Sequence, residues 1–180
     1  GGYRGSYAGA LMSARQNAPV LQPVLMLGRL GLNAADGLSP FGRWAQTQGA
    51  LVFNVERLEF QEHLDRHVGP RMHGDVNHVQ GPYLRLHAPI LIREHHLFTN
   101  DICSDVFLYT DCDVFFFGVN AHDMMVGQSQ LHNSVWSYST EASQRHRIPT
   151  NTGVMLINNT AFESIYSDFV AFGIERKFAF

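Results

Sequence analysis

The spacing of apolar residues changes period several times along the 180 residues, and each change marks an element. Tyr3 to Asn17 carries Tyr7, Leu11 and Ala14 at helical spacing, and Ala18-Pro19 closes the run. Val20 to Leu27 becomes continuously apolar at Val24-Leu25-Met26-Leu27 and predicts a strand. Gly28 to Ser39 is loop-like. Ser39-Pro40 then supplies an N-cap and a first-turn proline for a short helix through Trp44. Ala50 to Asn54 predicts a second strand, and Leu58 to Val68 a helix with Leu58, Leu64 and Val68 on one face. Gly69 to Gly81 is a polar loop, and Tyr83 to Phe98 is helical on both sides of Pro89, which breaks or kinks it. Val106 to Asp111 predicts the central strand and Val114 to Phe117 a second apolar piece. Val135 to Tyr138 and Gly153 to Ile157 predict later strands, and Ala161 to Phe180 an amphipathic helix that exposes Phe169, Phe172 and Phe178. Strands alternating with helices predict an α/β domain over residues 1–180, with a mostly parallel, twisted central sheet covered by helices on both faces.

One interruption in this pattern carries chemistry. The apolar run Val106-Phe107-Leu108-Tyr109-Thr110 stops at Asp111-Cys112-Asp113 and resumes at Val114-Phe115-Phe116. Two carboxylates beside a core are costly unless a positive charge neutralises them. No Lys or Arg lies between Glu94 and Arg145 to do so. A divalent cation is the candidate, and oxygen-only ligands point to Mn²⁺ or Mg²⁺ rather than zinc. The competing reading is a solvated turn that carries two aspartates. In open α/β sheets ligands bind beyond the carboxyl ends of the strands, where Asp111 and Asp113 fall.

Composition narrows the function classes. A hydrophobic content of 45%, a charged content of 16% and a net charge of −3 describe a globular chain without a basic footprint for nucleic acid or an anionic membrane. No apolar run is long enough for a membrane span within this segment, and no signal peptide is visible. Cys103 and Cys112 are too few for a disulfide framework. His63 and His67 share a helix face, but Leu64 stands where a zinc protease needs Glu, so they read as surface residues. Asn158-Asn159-Thr160 is a glycosylation sequon placed directly after an apolar strand, which argues against its modification.

Three segments together resemble nucleotide-sugar glycosyltransferases of the GT-A fold, closest to glycosyltransferase family 8, the group of glycogenin and bacterial lipopolysaccharide galactosyltransferases. They are Tyr83-Leu84-Arg85-Leu86-His87-Ala88-Pro89, the D-x-D strand Phe107-Leu108-Tyr109-Thr110-Asp111-Cys112-Asp113, and Asn151-Thr152-Gly153-Val154-Met155-Leu156-Ile157-Asn158. The resemblance implies that Asp113 chelates Mn²⁺ or Mg²⁺ most directly and that Asp111 binds the same metal and faces the ribose. It implies that Arg85 approaches the donor's phosphate or sugar hydroxyls, and that Asn151 hydrogen-bonds the donor sugar near the reacting carbon. It further implies that Glu141 binds sugar hydroxyls and that Tyr3 stacks on the nucleotide base, with Tyr7 facing the core. The implied activity is metal-dependent, retaining transfer from a UDP-sugar to a glycan, lipid or protein acceptor. The family's first strand would precede Gly1-Gly2, and its Asp-Gln segment and third metal ligand, a His, would follow Phe180. By resemblance the chain is therefore a piece truncated at both ends. Two other functions compete. One is a degenerate or truncated transferase domain that only binds nucleotide sugar or a partner. The other is a nucleotidylyltransferase, whose glycine-rich basic loop after the first strand is not seen here.

Overall fold

The computed structural model describes residues 3–28, 38–72, 80–97, 105–118, 131, 134–140 and 150–178. The chain divides into two compact units, one made of Gly1–Leu21 and His95–Glu163, the other of Gln22–Glu94 and Ser164–Phe180.

In the first unit, α1 spans Tyr3–Asn17. Three strands, β3 (Val106–Thr110), β4 (Trp136–Thr140) and β5 (Thr150–Asn158), form an antiparallel sheet in the order β3-β5-β4. Val106 pairs with Asn158 and Thr110 with Val154, so the amino end of β3 lies beside the carboxyl end of β5. Alternate residues of β5 point inward: Met155 and Ile157 are buried, and Trp136 meets buried Phe162 edge-on at 5.7 Å. The long terminal helix α5 (Asn159–Glu175) begins here. Its amino end is capped by Asn158, whose Oδ1 accepts from the Ala161 N–H at 2.9 Å, and by Asp105, whose Oδ2 accepts from the Thr160 N–H at 3.0 Å. The sequon asparagine is thus spent as a helix cap.

The second unit holds the parallel pair β1 (Val24–Leu27) and β2 (Leu51–Asn54), joined by α2 (Pro40–Thr47). Ser39 caps α2 through its Oγ, which accepts from the Gly42 N–H at 3.1 Å, and Pro40 occupies the first turn. Gly49, at φ 83°, lets the chain reverse from α2 into β2. The helix α3 (Gln61–His67), a 3₁₀ helix at Gly81–His87 and α4 (Ala88–Glu94) follow. Their apolar faces close a core around Leu58, Phe60, Leu64 and Leu91.

Two expectations are corrected. The described residues contain no long parallel sheet: the parallel pair is two-stranded, and the strand that leads into Asp111 is antiparallel to its neighbour. Connection length explains the direction of the β4–β5 pair. Residues 141–149 between β4 and β5 are fewer than the dozen or so that a parallel crossover needs, so β5 returns antiparallel to β4. The terminal helix also stops at Glu175 rather than Phe180. Lys177 and Phe178 adopt φ of 54° and 47° and fold the chain back. Phe178 is therefore buried, stacked on Phe60 at 5.3 Å and set edge-on to Tyr83 at 5.4 Å. Gly173 permits this: a Cβ there would stand 2.5 Å from the Phe178 ring. Of the three phenylalanines expected to be exposed, only Phe172 is, and the Arg176 guanidinium covers its ring at 5.4 Å.

Candidate functional site

At the carboxyl end of β3 the ladder with β5 runs one residue further. The Asp111 N–H donates to the Gly153 carbonyl at 2.7 Å. This bond brings the D-x-D stretch directly beside Asn151-Thr152-Gly153, although some forty residues separate them in sequence. On its other side β5 pairs Met155 with Tyr138, but the next residue of β4, Ser139, pairs with Asn151. Thr152, Gly153 and Val154 are the excess residues of a bulge, set where β5 meets Asp111. Bulges in this position re-aim side chains and are frequent beside active sites.

The aspartates themselves sit in a turn. The Val114 N–H donates to the Asp111 carbonyl at 3.2 Å, leaving Cys112 and Asp113 at the two central positions. Asp111 is half-buried, and its Oδ1 accepts from the Tyr109 hydroxyl at 2.7 Å. Tyr109 and Asp111 stand two residues apart, so the strand's alternation puts them on one face. Asp113 is exposed. Between them Cys112 is half-buried. Burial pushes its thiol pKa up, a hydrogen bond with Tyr7 opposes that rise, and the charges of Asp113 and Asp111 add to it. The thiol therefore stays protonated at neutral pH.

The chain beyond the turn, Val114 to Phe117, forms no strand, and α1 partners the backbone of Phe116. The Phe116 N–H donates to Ser13 Oγ at 3.0 Å, and Asn17 Nδ2 donates to the Phe116 carbonyl at 2.8 Å. Phe115 lies against Gly9, where a Cβ would meet its ring at 2.5 Å. Gly9, Ser13 and Asn17 recur every four residues, so they form one stripe of α1. Phe115 and Phe117 stack at 6.4 Å and both are exposed.

Asp111, Asp113 and the backbone of Asn151 thus share the first unit. Tyr3 opens α1 in that unit, but its side chain, like that of Asn151, is outside the described residues, and Glu141 lies outside them altogether. Arg85 belongs to the second unit, in the 3₁₀ helix Gly81–His87, where its Nε donates to the Pro82 carbonyl at 2.9 Å. Tyr7, expected to face the core, is half-buried on α1. Tyr109, Ser13 and Asn17 were not anticipated. The recurrence of small and polar residues at Gly9, Ser13 and Asn17 was the signal available for two of them.

Two carboxylates offer hard oxygen donors of the kind Mn²⁺ and Mg²⁺ take. Among the described residues no group of three His, Cys, Asp or Glu side chains gathers into a fuller metal site. Also among them, no helix is long and apolar enough to cross a membrane. No protein-family model, curated protein or solved structure matches the chain.

Proposed function

We propose that this protein is a metal-dependent glycosyltransferase of the GT-A type, which moves a sugar from a UDP-sugar to an acceptor hydroxyl with retention at the anomeric carbon. The observation that carries the reading is the bond from the Asp111 N–H to the Gly153 carbonyl. It joins the D-x-D turn to the Asn-Thr-Gly stretch, two of the three segments on which the family resemblance rests.

Asp111 and Asp113 would hold Mn²⁺ or Mg²⁺. When bound, the cation supplies Lewis-acid stabilisation of the charge on the departing diphosphate. Diphosphate oxygens and water would have to supply the rest of its ligands, since two carboxylates alone are too few for such a cation. Tyr109, by donating to Asp111 Oδ1, fixes the direction in which that carboxylate presents itself. The chemistry breaks the bond from the anomeric carbon to the diphosphate oxygen and forms one to the acceptor oxygen, whose proton is released. The resemblance would give Arg85, with its planar fork of donors, the role of contacting the donor's phosphate or sugar hydroxyls. Asn151 bonds the donor sugar near the reacting carbon, Glu141 takes sugar hydroxyls, and Tyr3 stacks on the uracil ring.

The test is to incubate the purified chain with a panel of UDP-sugars, with and without Mn²⁺, and to measure released UDP and free or transferred sugar. Metal-dependent release from one donor supports the proposal. Tight, metal-dependent UDP binding without release would favour the non-catalytic binding module. Exchange of pyrophosphate into nucleotide would favour a nucleotidylyltransferase.

A further inference from the structure

The helix α5 ends in a turn whose residue types are the reverse of what its geometry favours. The Phe178 N–H donates to the Gly173 carbonyl at 2.7 Å and the Lys177 N–H to the Ile174 carbonyl at 3.0 Å. This pair of bonds is a Schellman ending. Such an ending favours Gly in the left-handed position just past the helix, and an apolar residue where the following residue packs back. Here Lys177 takes the left-handed position at φ 54°, and Phe178 follows at φ 47°. The glycine instead stands under the Phe178 ring, as Gly173. Two successive left-handed residues that carry a Cβ are strained. Burial of the Phe178 ring, stacked on Phe60 and edge-on to Tyr83, offsets that strain.

The strain of two such residues and the burial of one phenylalanine oppose each other with similar size. The closed turn is therefore held by a small surplus, and segments held so open by themselves before the domain unfolds. Phe178 also supports more than its own helix. Phe60, Tyr83 and Phe178 form a closed triangle of rings with centroids 5.3, 5.4 and 6.4 Å apart. Tyr83 belongs to the 3₁₀ helix Gly81–His87, which the Ala88 N–H closes onto the Arg85 carbonyl. We infer that Lys177 and Phe178 form a conformational latch. Closed, the Phe178 ring completes the triangle and steadies the 3₁₀ helix. Open, it uncovers Phe60 and Tyr83, and the helix that carries Arg85 loosens with it. All of these residues lie in the second unit, and the inference does not depend on the proposed transferase activity.

A permanent piece of the core would open only when the whole unit unfolds, whereas a latch opens alone. The experiment is amide hydrogen exchange of the whole chain at low urea, read by NMR, for wild type, Lys177→Gly and Gly173→Ala. The Val68 N–H, which donates to the Leu64 carbonyl at 2.8 Å in the same core, reports the larger openings. In wild type the Phe178 amide should exchange at least about 10-fold faster than that of Val68, and with little dependence on urea. Lys177→Gly relieves one strained position and should slow Phe178 exchange roughly 3- to 10-fold, with Val68 unaltered. Gly173→Ala sets a Cβ 2.5 Å from a ring that is buried between neighbours and has no room to swing aside. It should expel the ring and speed Phe178 exchange at least about 10-fold. The Ala88 amide should follow Phe178 in both variants, slower in the first and faster in the second. Four outcomes would overturn the latch: Phe178 exchanging in step with Val68 in wild type, no slowing in Lys177→Gly, no acceleration in Gly173→Ala, or an Ala88 amide indifferent to both. Should Gly173→Ala fail to fold, Lys177→Gly decides the question through the Phe178 and Ala88 amides.

Discussion

Replacing His87 with Leu examines how the second unit tolerates a polar ring in its interior. His87 ends the 3₁₀ helix Gly81–His87, next to buried Ala88 and Pro89. Its Nδ1 is buried without a hydrogen-bond partner among the described residues. Burial lowers its pKa below the ordinary 6.5, while the charges of Glu94 and Glu59 pull it back up. A buried, unpartnered polar atom costs about 1–3 kcal/mol, and a half-buried ring places the cost near the lower end. Leu fills a similar volume with no polar atom. His87→Leu should therefore raise stability by about 1 kcal/mol near pH 8, or about 2–4 °C in melting temperature for a chain of this size. The pH dependence has a definite sign. Because the folded-state pKa is lowered, the unfolded chain takes up its proton first as pH falls below 6.5. Wild type then loses stability progressively until pH passes the folded-state pKa, whereas the Leu variant has no such group. The gap between the two should widen from about pH 8 to about pH 5, read from urea melts followed by circular dichroism. A gap that is constant with pH, or a variant less stable than wild type at both, would refute the reasoning.

Two other substitutions probe what packs around the aspartate turn. Gly9→Ala gains about 1 kcal/mol of helix propensity but sets a Cβ 2.5 Å from the Phe115 ring. Because the atoms met, Cε1 and Cζ, are the far end of a ring that is 43% exposed, the ring can swing outward, and the loss is confined to its stacking with Phe117, roughly 0.5–1.5 kcal/mol. The net change in a thermal melt should stay within about 1 kcal/mol, and a loss above about 2 kcal/mol would mean that Phe115 cannot move. Tyr109→Phe removes the hydroxyl that donates to Asp111 Oδ1 at 2.7 Å. It should weaken Mn²⁺-dependent UDP binding several-fold in calorimetry while costing about 1 kcal/mol of stability; unaltered binding would assign the bond to folding alone.

Local features were legible in the sequence, and long-range pairing was not. The span of α1, the Ser39 cap with Pro40, and β2 all follow from residues within a few positions of one another. Pro89 was expected to break a helix. The break instead falls one residue earlier, so that Pro89 becomes the second residue of α4, where a missing N–H costs little. Strand direction is a different kind of quantity. Alternation of strands and helices suggested parallel pairing, but direction is set by the reach of each connection, as the short link between β4 and β5 illustrates. The bulge at Thr152-Gly153-Val154 extends β5 well beyond the apolar core Gly153 to Ile157 that marked it. Phe178 was misjudged because its burial depends on two residues of positive φ and on a glycine five positions back. At the site, the apolar run Val106 to Thr110 marked β3, whereas the turn that carries Asp111 and exposed Asp113 is the arrangement the competing reading described. The contacts of α1 with the chain after the turn were hidden, because apolar spacing drew notice to Tyr7, Leu11 and Ala14 while the contacts are made by the stripe Gly9, Ser13 and Asn17.

The most direct test of the metal-dependent reading is calorimetric titration of UDP into wild type and Asp113→Asn, each with and without Mn²⁺. Asp113 is exposed, so exchanging its carboxylate for an amide should shift the melting temperature by no more than about 2 °C, the range of an ordinary surface change. The same exchange removes one of two hard anionic ligands, which should lower Mn²⁺-dependent UDP affinity by at least about 10-fold. The account predicts that wild type binds UDP only when Mn²⁺ is present and that the variant, still folded, largely loses this binding. Equal affinity in the two proteins with Mn²⁺ present, or wild-type binding indifferent to the metal, would contradict it.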